Sequence, residues 1–142
     1  MQVRELMSKD VISVSPDTAA DAAARMLSRH NIGALPVCTA GGQVRGMITD
    51  RDIALRCVAA GKDPQKTPVR EIMSSRVVAA APEEDVEQAA AQMAREQVRR
   101  LPVLEQGKLV GMLSLGDLSV NRTLRMEASS CLAEISSQIR RR

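Results

Sequence analysis

Residues 46–52 read GMITDRD, and residues 111–117 read GMLSLGD. Both have the pattern Gly-x-x-[Thr/Ser]-x-x-Asp, so the chain carries one motif twice, 65 residues apart. Working outward, VRELMS at 3–8 aligns with VREIMS at 69–74 at an offset of 66. At the same offset Pro16 meets Pro82, Ala23-Ala24 meets Ala89-Ala90, and Leu35-Pro36-Val37 meets Leu101-Pro102-Val103. A one-residue loop deletion then reduces the offset to 65. Matches at so many separated positions mark a duplicated unit.

Each copy reads alike. A β-branched run opens it (VISV at 11–14, VVAA at 77–80), and a Pro with acidic or hydroxyl residues predicts a helix start. An Ala-rich amphipathic helix follows, with Ala19, Ala22, Ala23, Met26 and Leu27 on one face in the first copy and Val86, Ala89, Ala90 and Met93 in the second. Two short apolar runs around a Gly-containing turn predict a hairpin, ALPVC with VRGMIT and RLPVL with LVGMLS. A last helix begins near Asp50 or Leu115. The unit is β-α-β-β-α, twice. One copy of about 60 residues makes a marginal core, so the two are expected to pack as halves of one α+β module with pseudo-two-fold symmetry. AAGKDPQKTP (59–68) reads as the joint.

The 142 residues are 44% hydrophobic and 26% charged, which fits a globular chain and excludes a disordered one. Twenty Lys and Arg against 17 Asp and Glu give +3, suited to an anionic small molecule but short of a dedicated DNA-binding patch. Without Phe, Trp or Tyr, no base can stack on an aromatic ring, so nucleic acid is not the expected partner. Met is expected to fill the core in place of rings. Cys38, Cys57 and Cys131 are widely spaced and read as free thiols. With one His, His30, placed to end a helix, no metal site is expected. The N-terminal stretch has no long apolar run, so neither a signal peptide nor a membrane span is expected, and the expected location is cytoplasmic.

Thr49…Asp52 and Ser114…Asp117 have the spacing of a helix cap. They also suit a ligand. A glycine in the preceding strand would permit close approach of a ligand, and a helix N-terminus favours phosphate. A carboxylate only accepts hydrogen bonds. A ribose diol offers two donors and a phosphate none, so Asp52 and Asp117 suit the sugar of a nucleotide.

The duplicated unit, the ALPV and RLPV strands and the repeated signature resemble a pair of CBS domains, the Bateman module, and in particular small stand-alone bacterial CBS-pair proteins of the hypoxic-response type. The resemblance implies CBS repeat 1 at 1–62, a linker at 63–68, CBS repeat 2 at 69–122 and a C-terminal helical extension at 123–142. It implies no catalytic cofactor and a regulatory module sensing adenosine-containing ligands (AMP, ADP or ATP, less readily NAD or S-adenosylmethionine) in clefts between the repeats. Asp52 and Asp117 then take the ribose. Thr49 and Ser114 match the family's hydroxyl position, and Ile12, Val78, Met47 and Met112 flank the adenine. Phosphate falls to Arg99 and Arg100 in the second repeat; Gly33 and Ala34 stand at those positions in the first, where Arg51 compensates. The family further implies a homodimer through helices flanking the sheets and an effector protein acting in trans.

The alternative is a degenerate pair serving as a structural or interaction protein without a ligand. No nucleophile–base pair or metal cluster supports an enzyme. After residue 118 the repeat ends, and Leu124, Ala128, Leu132, Ile135 and Ile139 are predicted to share one helical face, followed by Arg140, Arg141 and Arg142.

Overall fold

A computed structural model describes residues 1–119 and 125–141, with side chains of the last helix from 128 to 137. Leu124 and Arg142, and the side chains of Ile139, Arg140 and Arg141, lie outside the described residues. The elements run α1 (Val3–Leu6), α2 (Ala20–His30), β1 (Ala34–Cys38), β2 (Val44–Thr49), α3 (Asp50–Asp52) continuing as a π-helical turn (Ile53–Val58), a 3-10 turn (Val69–Glu71), α4 (Val86–Glu96), β3 (Arg100–Glu105), β4 (Lys108–Ser114), α5 (Leu115–Ser119) and α6 (Arg125–Arg141). None of the helices is long and apolar enough to cross a membrane among the described residues.

The chain forms two compact units, and they do not follow chain order. One contains Met1–Val11 with Val78–Gln106 and Val110–Arg142; the other contains Ile12–Val77 with Gly107–Leu109. The leading segment of each repeat therefore packs with the body of the other repeat.

In the unit built on residues 12–77, β1 and β2 pair antiparallel, with Ala34 opposite Thr49 and Leu35 opposite Ile48. Val14 adds a parallel bridge to Val37 on one edge, and Ser74 an antiparallel bridge to Met47 on the other. The predicted VISV strand is thus a single bridge. Pro16 lies in the turn before α2 and does not open the helix, which starts four residues later. The N-cap of α2 is Ala19, which has no side chain to cap with. The joint satisfies the orphan donors instead: Ala20 N–H donates to Thr67 O at 2.8 Å and Asp21 N–H to Pro64 O at 3.1 Å. Thr67 is held in place by its own hydroxyl, which donates to Asp63 O at 2.8 Å. Of the predicted α2 face, Ala23 and Leu27 are buried, and the stripe continues through Ala20; Ala19, Ala22 and Met26 are half-buried. The core holds Val14, Leu27, Leu35, Val37, Ile48, Ile53, Val69 and Ile72.

The other unit repeats this plan. Ala80 bridges Val103 in parallel, β3 pairs with β4, and Ser8 bridges Met112 antiparallel. The first turn of α4 is capped by Asp85, whose side chain accepts from Glu87 N–H, while Val86 N–H donates to Met1 O at 3.0 Å. Val3 is fully buried with Val86, Met93, Leu101, Val103, Leu113 and Leu118. Each such side chain contributes about 1.5–3 kcal/mol, and Met93 fills space that an aromatic ring often takes. Helix α6 packs on α4 and α5. Among its described side chains Ala128, Cys131 and Ile135 are buried, whereas Leu132, expected on that face, is 40% exposed. The buried stripe spans about 60° through 128, 131 and 135, and Leu132 falls about 40° outside its Ala128 edge.

Candidate functional site

Each motif stands where a strand hands over to a helix. Asp50 N–H donates to Gly33 O at 3.0 Å and Leu115 N–H to Arg99 O at 2.9 Å, so the residues before each Leu-Pro lie beside the start of the next helix. Thr49, extended at φ −116° and ψ 162°, is the N-cap of α3. Its Oγ1 accepts from Asp52 N–H at 3.0 Å, and Asp52 Oδ2 accepts from Thr49 N–H at 3.0 Å. In the other unit Ser114 Oγ accepts from Asp117 N–H at 3.1 Å, and Asp117 Oδ2 accepts from Ser114 N–H at 2.8 Å. Both motifs are reciprocal capping boxes with Asp as the acid. The cap fixes each carboxylate and occupies one oxygen, Oδ2, leaving Oδ1 outside the cap.

Those second oxygens differ. Asp52 Oδ1 lies 3.8 Å from Arg56 Nε, and the Asp52 side chain is only 14% exposed. Arg56 Nη1 also donates to Ile72 O at 3.3 Å and Met73 O at 3.4 Å. Asp117 has no ion pair among the described residues. The sequence reading missed Arg56; the signal was the i, i+4 spacing of Asp52 and Arg56 on a helix.

The motif glycines have a structural purpose, which corrects the expectation of close ligand approach. A Cβ on Gly46 would lie 2.5 Å from Ser74 O and 2.8 Å from Met73 Sδ; on Gly111 it would lie 2.5 Å from Met7 Sδ and 3.0 Å from Ser8 O. The leading VRE(L/I)MS segments cross here, bound through Met47 N–H to Ser74 O at 3.0 Å and Ser8 N–H to Met112 O at 2.8 Å. What the glycines admit is a chain segment.

The remaining sites divide between the units. With Thr49 and Asp52 lie Ile12, Ala34, Met47 and Arg51; with Ser114 and Asp117 lie Val78, Arg99, Arg100 and Met112. Ala34 stands opposite Thr49 in the ladder. Ile12 and Val78 are half-buried against the core of their own unit. Met47 and Met112 are half-buried, Arg51 and Arg99 exposed and Arg100 half-buried. Among the described residues no group of three or more His, Cys, Asp or Glu is placed to hold a metal ion. Burial pushes the Cys38 and Cys131 thiols above their ordinary range, so neither is an activated nucleophile.

The CBS domain family model matches residues 3–58 and 69–120. The chain is similar to the CBS domain-containing protein YhcV of Bacillus subtilis, 46% identical over 136 residues and 96% of each chain. It is 33% identical to Hypoxic response protein 1 of Mycobacterium tuberculosis over 82% of this chain and 81% of that one. Among solved structures, Hypoxic Response Protein I with two coordinated zinc ions superposes with a TM-score of 0.79 at 31% identity, covering 85% of this chain and 98% of that one. The CBS domain pair of protein MJ0100, in complex with 5′-methylthioadenosine and S-adenosyl-L-methionine, does so with a TM-score of 0.75 at 30% identity, covering 84% and 98%. Two capped signatures on two copies of one fold, matched across both repeats, make this chain a member of the CBS domain family carrying a pair of such domains.

Proposed function

We propose that the chain is a regulatory module that binds adenosine-containing nucleotides at its two signature motifs and passes its state to a partner protein. AMP, ADP and ATP suit it better than NAD or S-adenosylmethionine. The observation that carries this reading is the pair of capped carboxylates, each held rigidly by Oδ2 with Oδ1 outside the cap. A fixed carboxylate acceptor suits a sugar diol, and exposed Arg99 and Arg51 supply cations for phosphate. The adenosyl ligands of the MJ0100 structure support the ligand class. No catalytic role is assigned.

The caps themselves favour a second reading, a pair that serves only in protein interaction, because capping alone accounts for the Thr/Ser-x-x-Asp spacing. A thermal-shift panel of AMP, ADP, ATP, NAD and S-adenosylmethionine separates the two. A ligand at 100 times its Kd adds about 2.7 kcal/mol. Circular dichroism must report the melt, because the chain has no aromatic residue. Stabilisation by none of the five supports the interaction reading.

We also propose a homodimer. Leu55 is 49% and Val58 60% exposed. Val58 lines a groove of about 440 Å³ between α2 and the π-helical turn, together with Ala24, Leu27, Ile32, Ile53 and Ala54. The corresponding helices of the other unit, α4 and α5, are covered by α6. An apolar face left open in one copy and covered in the other suits association.

A further inference from the structure

The two signature acids are capped alike and differ in what faces the remaining oxygen. At Asp52 a guanidinium stands there: Arg56 Nε is 3.8 Å from Oδ1, with the acid 14% and the Arg 56% exposed. Arg56 is not a loose surface side chain. Its Nη1 is shared between the carbonyls of Ile72 and Met73, which keep the cation within ion-pair distance of the acid. At Asp117 no cation faces the carboxylate among the described residues. The residue 65 positions beyond Arg56 is the uncharged Asn121, which lies outside the described residues.

We propose that Arg56 is the specificity-determining residue of the first repeat's site, making that site selective for phosphorylated over unphosphorylated nucleosides. The inference rests on the nucleotide reading above. A ribose diol docking on Asp52 finds Oδ1 outside the cap, while Oδ2 already accepts from Thr49 N–H. There the diol competes with the Arg56 guanidinium, 3.8 Å from the same oxygen. A nucleoside offers that cation nothing in exchange, so its binding is opposed by the lost ion pair. A nucleotide brings phosphate oxygens, which accept from a guanidinium in a bidentate fork, and the exchange is restored. At Asp117 the diol meets no cation among the described residues, so the second site is expected to tolerate an uncharged tail.

The test uses the full chain carrying Asp117→Asn, which weakens the second site, and compares Arg56→Gln and Arg56→Lys with that parent by calorimetric titration with adenosine and with AMP. Circular dichroism melts confirm folding, and the charge-keeping Lys variant carries the comparison if the Gln variant does not fold. Arg56→Gln is expected to tighten adenosine about tenfold while AMP is unchanged or weaker, so that the AMP-to-adenosine preference falls at least tenfold. Arg56→Lys, which keeps the charge but lacks the fork, is expected to lose only part of that preference. Adding Asp52→Asn is expected to abolish the adenosine gain, which a purely structural Arg56 would not produce. An unchanged preference with AMP still bound overturns this inference and leaves the nucleotide reading standing. Failure of the unsubstituted protein to bind either ligand overturns both.

Discussion

Gly46 packs directly against Ser74: a Cβ at residue 46 would lie 2.5 Å from the Ser74 carbonyl oxygen. That oxygen cannot retreat, because it accepts from Met47 N–H at 3.0 Å while Ser74 N–H returns a bond to Met47 O. At Gly111 the nearest atom is the flexible end of Met7, with Ser8 O next at 3.0 Å. Overpacking costs about 1–3 kcal/mol. Gly46→Ala is expected to reach or exceed the top of that range, with Gly111→Ala losing less. Urea unfolding followed by circular dichroism checks the order; equal losses would contradict it.

Glu84 gives a pH signature. Its Oε2 is buried with no hydrogen-bond partner among the described residues. Burial raises its carboxyl pKa above the ordinary range, with the neighbouring Glu83 adding to the rise and the Ala81 backbone bond opposing it. The folded state therefore holds this proton more tightly than the unfolded state. The stabilisation is fully present below the ordinary glutamate value of about 4.3 and is lost as pH rises through the folded value. Glu84→Gln is expected to flatten that part of the melting-temperature profile, gaining on the parent protein as pH rises from about 4 to 7. Parallel profiles would refute the assignment.

The open apolar face makes the assembly testable. Leu55→Glu with Val58→Glu places two charges on side chains that are 49% and 60% exposed. The parent is expected to scatter light as a dimer at micromolar concentration and the double variant as a monomer with an unchanged circular dichroism spectrum. A monomeric parent, or a variant that stays dimeric, would contradict this.

Arg99 and Arg100 lead into β3 beside the Ser114–Asp117 box, tied to it by the Leu115 N–H bond to Arg99 O. Changing both to Ala is expected to weaken AMP or ATP at least tenfold more than adenosine, because charge-assisted bonds to phosphate are lost. Equal losses for nucleoside and nucleotide, read by calorimetry, would mean that the arginines do not touch phosphate.

The duplication, the hairpins, the Ala-rich helices and the signature were legible because each is a periodic or repeated pattern. The exchange of leading segments was not. Val3, Leu6 and Met7 match Val69, Ile72 and Met73 almost side chain for side chain, so either segment suits either core and local pattern cannot assign them. The glycines were read as room for a ligand because a missing side chain does not say what fills the space; Ser74 and Met7 do. The opening β runs shrank to single bridges at Val14 and Ala80, since β propensity records a fit to a sheet and not the length of pairing. The i, i+4 spacing of Asp52 and Arg56 was in the sequence, but the carbonyls of Ile72 and Met73 that anchor Arg56 are distant along the chain and were not legible.

On the proposed reading, Asp52 and Asp117 receive a ligand as well as capping a helix. Asp→Asn keeps an oxygen for the Thr49 or Ser114 N–H, so the stability loss should stay under about 1 kcal/mol. A hydrogen bond to a charged group contributes about 1.5–3 kcal/mol, so each change should weaken its own site about 10- to 100-fold. Calorimetric titration of AMP and ATP into Asp52→Asn, Asp117→Asn and the double variant measures this directly. One weakened site is expected in each single variant and loss at both in the double; undiminished nucleotide binding in a folded double variant would reduce both motifs to helix caps.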